Sequence, residues 1–282
     1  MALSQVVERA ERVGLPQPAL HDLLTPVQAL LAASPRWTDT FGAGDDARAE
    51  PAGHGPRWWR LERLAADVEA HASPLGRAIE ATTFVTGLRA LYEARLDGAR
   101  ARLDHLVRRG APNARVLALG GGGCHALSLF APDLAGRGVS AVVVDDRRDV
   151  LERGVSLLRE RAVPTDAIAA PPSRVGSWLR AQGLFDLVLA TDICDAASDA
   201  QLEWLLPKLV LSLTPRGWLA MSAITHPNPL RVPMTYFARW RALERTTEGL
   251  SMLLRRAHLG RLTVQIDHAL GTPLVAFALH RS

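Results

Sequence analysis

The sequence predicts an α/β protein built on a doubly wound, mostly parallel sheet, with an α-helical region ahead of it. Three observations predict this. From Arg115 onward, short apolar runs alternate with helical stretches, the pattern of a parallel sheet covered on both faces. The first apolar run passes into the next helix through four consecutive glycines, Gly120 to Gly123. The chain then closes with LTVQID and PLVAFALH, two β-rich runs joined by a turn around Gly271, which is a hairpin signal.

The elements follow in order. Residues up to about 33 read as two helices punctuated by Pro16 and Pro18. Residues 38–56, rich in Gly, Ala, Asp and Pro, read as a mobile loop. A second helical block starts near Arg57. It culminates in a stripe of Phe84, Leu88, Leu91, Tyr92, Leu96, Leu103, Leu106 and Val107 at helical spacing. Gly110 and Pro112 stop this helix. The stripe reads as a face that packs on the next domain; the alternative is that its polar flank, with Tyr92 and Arg95, roofs the substrate pocket. The predicted strands are Val116 to Leu119, Ala141 to Val144, Ala167 to Ala169, Phe185 to Ala190 and Trp218 to Ile224. Helices are predicted to begin near His125, Arg148, Val175 and Ser198. Ser198 with Gln201 has capping-box spacing, and Pro207 should kink the last helix. A further helix is expected over about Val232 to Ala257. The domain reading is therefore an α-helical region over 1–110 and a Rossmann-like domain over 111–282.

Composition narrows the function classes. In 282 residues the apolar fraction is 48 % and the charged fraction 22 %, as in an ordinary globular protein. The formal charge is +4 and the isoelectric point near 9.8, but Lys208 is the only lysine among 33 basic residues. Arginines and carboxylates are interleaved, without the like-charge blocks of a nucleic-acid surface, so no nucleic-acid partner is expected. The N-terminus lacks the basic start and apolar run of a secretory signal, and no apolar stretch is long enough for a bilayer, so no membrane insertion is expected. Two cysteines, Cys124 and Cys194, are too few for a disulfide framework and have no CxxC spacing for zinc. They read as small buried apolar residues, the expected compartment is the cytoplasm, and no metal is expected. The seven tryptophans, including the Trp58-Trp59 pair, read as core or interface. An exposed helical face is compatible with a homodimer.

In open α/β sheets ligands bind just past the carboxyl ends of the strands, where strand order reverses. The informative residues are therefore those that follow each run. Gly120, Gly121 and Gly122 allow close approach of backbone to a ligand, and the helix behind them offers free N–H groups; alone this fits NAD, FAD or S-adenosylmethionine (SAM). A phosphate-cradling P-loop is excluded, since no Lys-Ser or Lys-Thr follows. Asp145, ending the second strand, is placed to accept both ribose hydroxyls, and Asp146 fits a helix N-cap. Asp146 and Thr191 complete the candidate cofactor set. After the fourth strand, Asp192 and Asp195 serve either as bases and substrate orienters or as turn formers, while the helix dipole explains Asp199. After the fifth, HPNPLR sets His226, Asn228 and Arg231 in a proline-stiffened loop. An arginine there can grip a carboxylate, and a histidine can move a proton.

Together the glycine turn, Asp145, the FDLV strand, LTPRGWL and the terminal hairpin resemble class I SAM-dependent methyltransferases over residues 112–282. LTPRGWL is similar to that superfamily's LKPGG turn, with Arg216 replacing its first glycine. Phe185 to Leu250 resembles bacterial proteins of extracellular-factor (3-hydroxypalmitic acid methyl ester) biosynthesis. The shared features are Asp195, Asn228-Pro229-Leu230-Arg231, Trp240 and Arg245-Thr246-Thr247-Glu248. The resemblance implies SAM as cofactor and O-methylation, on a carboxyl group, of a small, partly apolar molecule such as a hydroxy fatty acid or natural product. Ala196 stands where that family has a tyrosine, and Ala118 where many methyltransferases have an acid. These departures keep a non-catalytic binding or scaffold protein as an alternative, with a nicotinamide-dependent oxidoreductase behind it.

Overall fold

The computed structural model describes residues 3–32, 74–75, 87–171, 174–238, 240–257, 259, 262–268 and 272–281. The 38–56 loop, the start of the helical block at Arg57, the Trp58-Trp59 pair, Phe84 and the turn at Gly271 lie outside the described residues. Two compact units emerge, one of Met1–Glu93 with Pro227–Ala242, the other of Ala94–His226 with Leu243–Ser282.

In the first unit, α1 (Leu3–Arg12) and α2 (Gln17–Ala32) are the two helices read from the sequence. Pro18 falls in the first turn of α2, where a missing N–H costs nothing. Between the helices, Gly14 takes φ +76°. Val7, Leu20 and Leu24 are fully buried. The 227–242 segment returns to this unit and contains a short π-helix, Pro233–Phe237.

The second unit carries a seven-stranded sheet, in which β1 is Arg115–Leu119, β2 Ser140–Asp145, β3 Thr165–Ala169 and β4 Phe185–Ala190. β5 is Leu213–Ile224, β6 Leu262–His268 and β7 Leu274–Arg281. Their order is β3-β2-β1-β4-β5-β7-β6, with β1 to β5 parallel and β7 antiparallel to both β5 and β6. This is the predicted fold class, and the hairpin is where the sequence placed it. The chain leaves β1 outward to β2 and β3, then crosses to the other side for β4, so strand order reverses between β1 and β4. β1, β2 and β4 are almost wholly buried, which is why they read as continuous apolar runs.

The helices of the second unit begin with α3 (Ala90–Arg109), which enters it at Ala94 and stops, as expected, before Gly110. They continue with α4 (Gly121–Gly136), α5 (Arg148–Glu160), α6 (Val175–Leu179), α7 (Ile193–Ala196), α8 (Asp199–Leu211) and α9 (Thr247–Arg256). The Ser198 capping box is present with both of its bonds. Arg216 sits at φ +73°, the left-handed conformation for which the related turn uses glycine.

Several expectations are corrected. α4 begins at Gly121, four residues ahead of His125, because the glycines form the first helical turn as well as the bend. α5 is capped at Arg147 rather than by Asp146, and no side chain bonds to that cap. The single helix expected over Val232–Ala257 is two pieces, the π-helix and α9, parted by an extended stretch in which Thr225 bridges Arg245. Thr246 caps α9 by accepting from Gly249 N at 3.0 Å. Pro207 lies inside α8, as read from the sequence.

Candidate functional site

Three strand ends in the second unit build the site. The register pairs Leu119 with Val144, so Gly120 and Asp145 leave adjacent strands side by side. Gly120 N donates to Val144 O at 2.8 Å, fixing the bend to β2. Gly120 has φ +85° and ψ 160°, a conformation that belongs to glycine. A Cβ there would meet Asp192 only at 3.7 Å, so the backbone angle, not crowding, requires glycine. The same figure places Asp192, from the end of β4, beside the bend.

Asp145 is buried, and its Oδ1 accepts the Arg147 N–H at 2.8 Å and faces Arg147 Nε at 3.5 Å. Among the described residues, its Oδ2 has no hydrogen-bond partner. Burial pushes this carboxyl up from its ordinary range, and the Arg147 charge and N–H pull it back. An oxygen so placed at the end of β2 can accept a hydroxyl from a sugar lying along the bend.

After β4, Thr191 Oγ1 donates to Asp192 Oδ1 at 3.0 Å, while Ser222 of β5 donates to the Thr191 carbonyl at 2.6 Å. Arg95 of α3 reaches the same turn, with NH1 3.2 Å from Asp192 Oδ1 and NH2 2.5 Å from Asp195 Oδ2. The Arg95 side chain is 5 % exposed and Asp195 1 %, whereas Asp192 keeps 28 %. Asp192 is therefore the carboxylate open to a ligand, and Asp195 is sealed beneath it. Two carboxylates face one guanidinium, which leaves the turn with a net negative charge. Arg245 braces the underside, with Nε 2.9 Å from Asp199 and NH2 2.6 Å from the Ala197 carbonyl.

Burial pushes the Asp195 carboxyl up to about 6, opposed chiefly by the Arg95 guanidinium. A folded-state value above the unfolded one means that folding takes up a proton between roughly pH 4 and 6. Asp195 thus favours the fold most at low pH and least above pH 6. Relative to Asp195→Asn, the wild type should gain stability as pH falls from 7 to 4 in urea denaturation; a stability difference independent of pH would contradict this.

The remaining sequence candidates divide. His226, in the second unit, is exposed, with Nδ1 3.4 Å from Glu244 Oε2. Asn228 and Arg231 belong to the first unit. Asn228 shapes its own loop, accepting from Leu230 N at 2.8 Å and donating to Met234 Sδ at 3.4 Å. Arg231 spans both oxygens of Glu11, with NH1 3.1 Å from Oε1 and NH2 against Oε2. Tyr236 adds its hydroxyl to Oε1 at 3.1 Å. Glu11, Tyr236 and the brace Arg245 were not singled out as site residues in sequence; a carboxylate in the last turn of an amphipathic helix carries no signal of a partner 220 residues away.

The cysteines are structural. Both thiols are buried and pushed up to about 12 by that burial. Gly154 of α5 lets α4 approach, since a Cβ there would collide with Cys124 Sγ. No described helix is long and apolar enough to cross a membrane.

No protein-family model matches the chain, and no curated protein matches it. Solved structures do. One is described as a possible exported protein from Bordetella parapertussis, with 15 % identity and a TM-score of 0.58 over 87 % of this chain and 86 % of that one. Another is the magnesium protoporphyrin IX methyltransferase ChlM from Synechocystis PCC 6803 with bound S-adenosylhomocysteine (SAH), at 14 % identity and a TM-score of 0.50 over 80 % and 94 %. Human N-acetylserotonin methyltransferase in complex with SAM matches at 14 % identity and a TM-score of 0.48 over 80 % and 66 %. The strand order, the closing antiparallel pair and the bend at the switch point give this chain the fold of the class I SAM-dependent methyltransferases.

Proposed function

We propose that the protein is a SAM-dependent methyltransferase acting on an oxygen, by preference a carboxylate, of a small, partly apolar metabolite such as a hydroxy fatty acid or natural product. One observation carries the reading: the Gly120 bend and Asp145 stand on adjacent strand ends at the switch point, with Gly120 N donating to Val144 O of β2. In this reading residues 111–282 form the catalytic domain and residues 1–110 the accessory region. The protein works in the cytoplasm, possesses a small-molecule partner, and its exposed helical surface suits a homodimer.

When bound, SAM supplies an electrophilic methyl group. Gly120, whose own N–H is held by Val144 O, would let the backbone approach it, and Gly121 and Gly122 at the start of α4 would offer N–H groups without an intervening side chain. Asp145, with Oδ1 held by the Arg147 N–H, would accept from the ribose through Oδ2, with Asp146 beside it. Thr191 holds Asp192 by the hydrogen bond to Oδ1, and Arg95 and Asp195 keep the turn in place. Asp192 would supply negative charge to a cationic cofactor held there. A carboxylate acceptor is already ionised at neutral pH and needs no strong base, so alignment supplies much of the rate. His226, in the same unit, serves a hydroxyl acceptor only.

Incubation with methyl-labelled SAM and a panel of medium-chain hydroxy acids, read by transfer of label to an extractable ester, tests the reading. Base-labile label in the organic phase is expected. SAH binding with no label transferred to any acceptor, in extract or panel, would favour a non-catalytic binding protein instead.

A further inference from the structure

The first unit holds a carboxylate in a cradle of three donors. Arg231 grips both oxygens of Glu11, and Tyr236 donates its hydroxyl to Oε1 at 3.1 Å. A planar guanidinium meeting both oxygens of a carboxylate is the geometry by which arginine recognises free carboxylates in ligands. Both cradle residues lie on one short stretch, 231 to 236, which Gln28 of α2 fixes by donating to the Tyr236 carbonyl at 3.1 Å. The occupant comes from a different helix, α1.

The two helices are held very differently. α2 is rooted by Leu20 and Leu24, both without exposed surface. Among the described side chains of α1, Val7 alone is fully buried, and Val13 just beyond the helix is 75 % exposed. The link between the helices passes through Gly14 at φ +76°, where a Cβ would meet nothing within 4 Å. A ten-residue helix with one fully buried anchor among its described side chains, on an uncrowded glycine, is placed to leave while its cradle stays. The ion pair itself is partly open to water, with Arg231 36 % and Glu11 23 % exposed, so a carboxylate from solution can reach the guanidinium.

We propose that Arg231 and Tyr236 form a receptor for a monoanionic carboxylate ligand, and that Glu11 occupies it as an internal stand-in, so that α1 must swing aside when a ligand carboxylate enters. The depressed carboxyl of Glu11, held low first by its bond to Arg231, is what a cradle selective for the anion does to its occupant. This inference concerns the first unit by itself, goes beyond the proposed methyl transfer and does not rest on it. As a binding site it stands alone.

The test uses the full chain and two probes of equal tail length, decanoate and decanol, titrated by tryptophan fluorescence. Glu11→Gln, which keeps the shape and removes the charge, should bind decanoate about tenfold more tightly than wild type and decanol no differently. Val7→Ala, which loosens α1 and leaves Glu11 intact, should tighten decanoate to an intermediate degree. Adding Arg231→Gln to Glu11→Gln should erase the preference for decanoate. Equal decanoate affinity in wild type and both single variants would overturn the proposal, as would selectivity that survives Arg231→Gln. SAH affinity, measured on the same samples, separates the two readings. A wild type that fails to bind SAH but shows the decanoate pattern refutes the methyltransferase assignment and leaves the cradle; unchanged SAH binding without the pattern does the reverse.

Discussion

Replacing Arg95 with Met should lower the stability of the sheet-bearing unit by about 3–5 kcal/mol, the usual cost of removing one partner from a buried ion pair. The reason is specific to Asp195. Its side chain is 1 % exposed, its Oδ2 lies 2.5 Å from Arg95 NH2, and its Oδ1 is 3.4 Å from the Ile224 N–H. Without the guanidinium, a carboxylate stays in the protein interior with one long backbone bond to hold it. Combining Arg95→Met with Asp195→Asn removes the orphaned charge and should recover more than half of the loss. The pH dependence carries the opposite sign from an ordinary ion pair. Burial already holds Asp195 at about 6, and losing Arg95 raises it further, so the variant escapes part of its penalty by protonating as pH falls toward 5. Urea denaturation at pH 7 and 5 checks both points. A loss below 1 kcal/mol at pH 7, or a loss that grows at pH 5, would show that the pair is not what holds the turn.

Asp145→Ala should weaken binding of SAM or SAH about ten- to a hundredfold, the effect of losing a hydrogen bond to a charged group, about 1.5–3 kcal/mol. Fold stability should change far less and in the other direction, since burial disfavours this carboxylate in the absence of ligand. The residue's other structural bond, to the Arg147 N–H, lies at a helix end near the surface that water can satisfy. Calorimetry paired with thermal melting separates these effects. Equal loss of affinity and stability would mean that Asp145 only shapes the loop.

The fold was readable because its signals are local. β1, β2 and β4 are buried on both faces and therefore read as unbroken apolar runs, and the closing antiparallel pair is two β-rich runs close together in the sequence. Where polar residues start a strand, as Thr165 and Asp166 do in β3, the apolar run begins late and so did the prediction. Glycines gave the bend but hid the helix, because a residue with poor helix propensity still forms the first turn of α4. The region 232–257 has enough apolar residues for one helix; only the returning chain, which pairs Arg245 with Thr225 and buries its guanidinium on Asp199, breaks it.

The site was legible to the same extent. Gly120, Asp145 and Asp192 stand at strand ends, and strand ends can be found in a sequence. Which carboxylate lies open and which is sealed depends on Arg95, 97 residues before Asp192. The partner of Arg231 is Glu11, separated by 220 residues. A guanidinium written down as a substrate contact and one already gripping an internal carboxylate have the same local sequence.

The assignment of the bend and Asp145 to a single nucleoside is tested most directly by calorimetric titration of the wild-type chain with SAH, alongside NADH. The fold and the two adjoining strand ends predict saturable binding of SAH, one molecule per chain, with no heat from NADH. Binding of NADH in its place, or no binding of SAH at millimolar concentration, would contradict it.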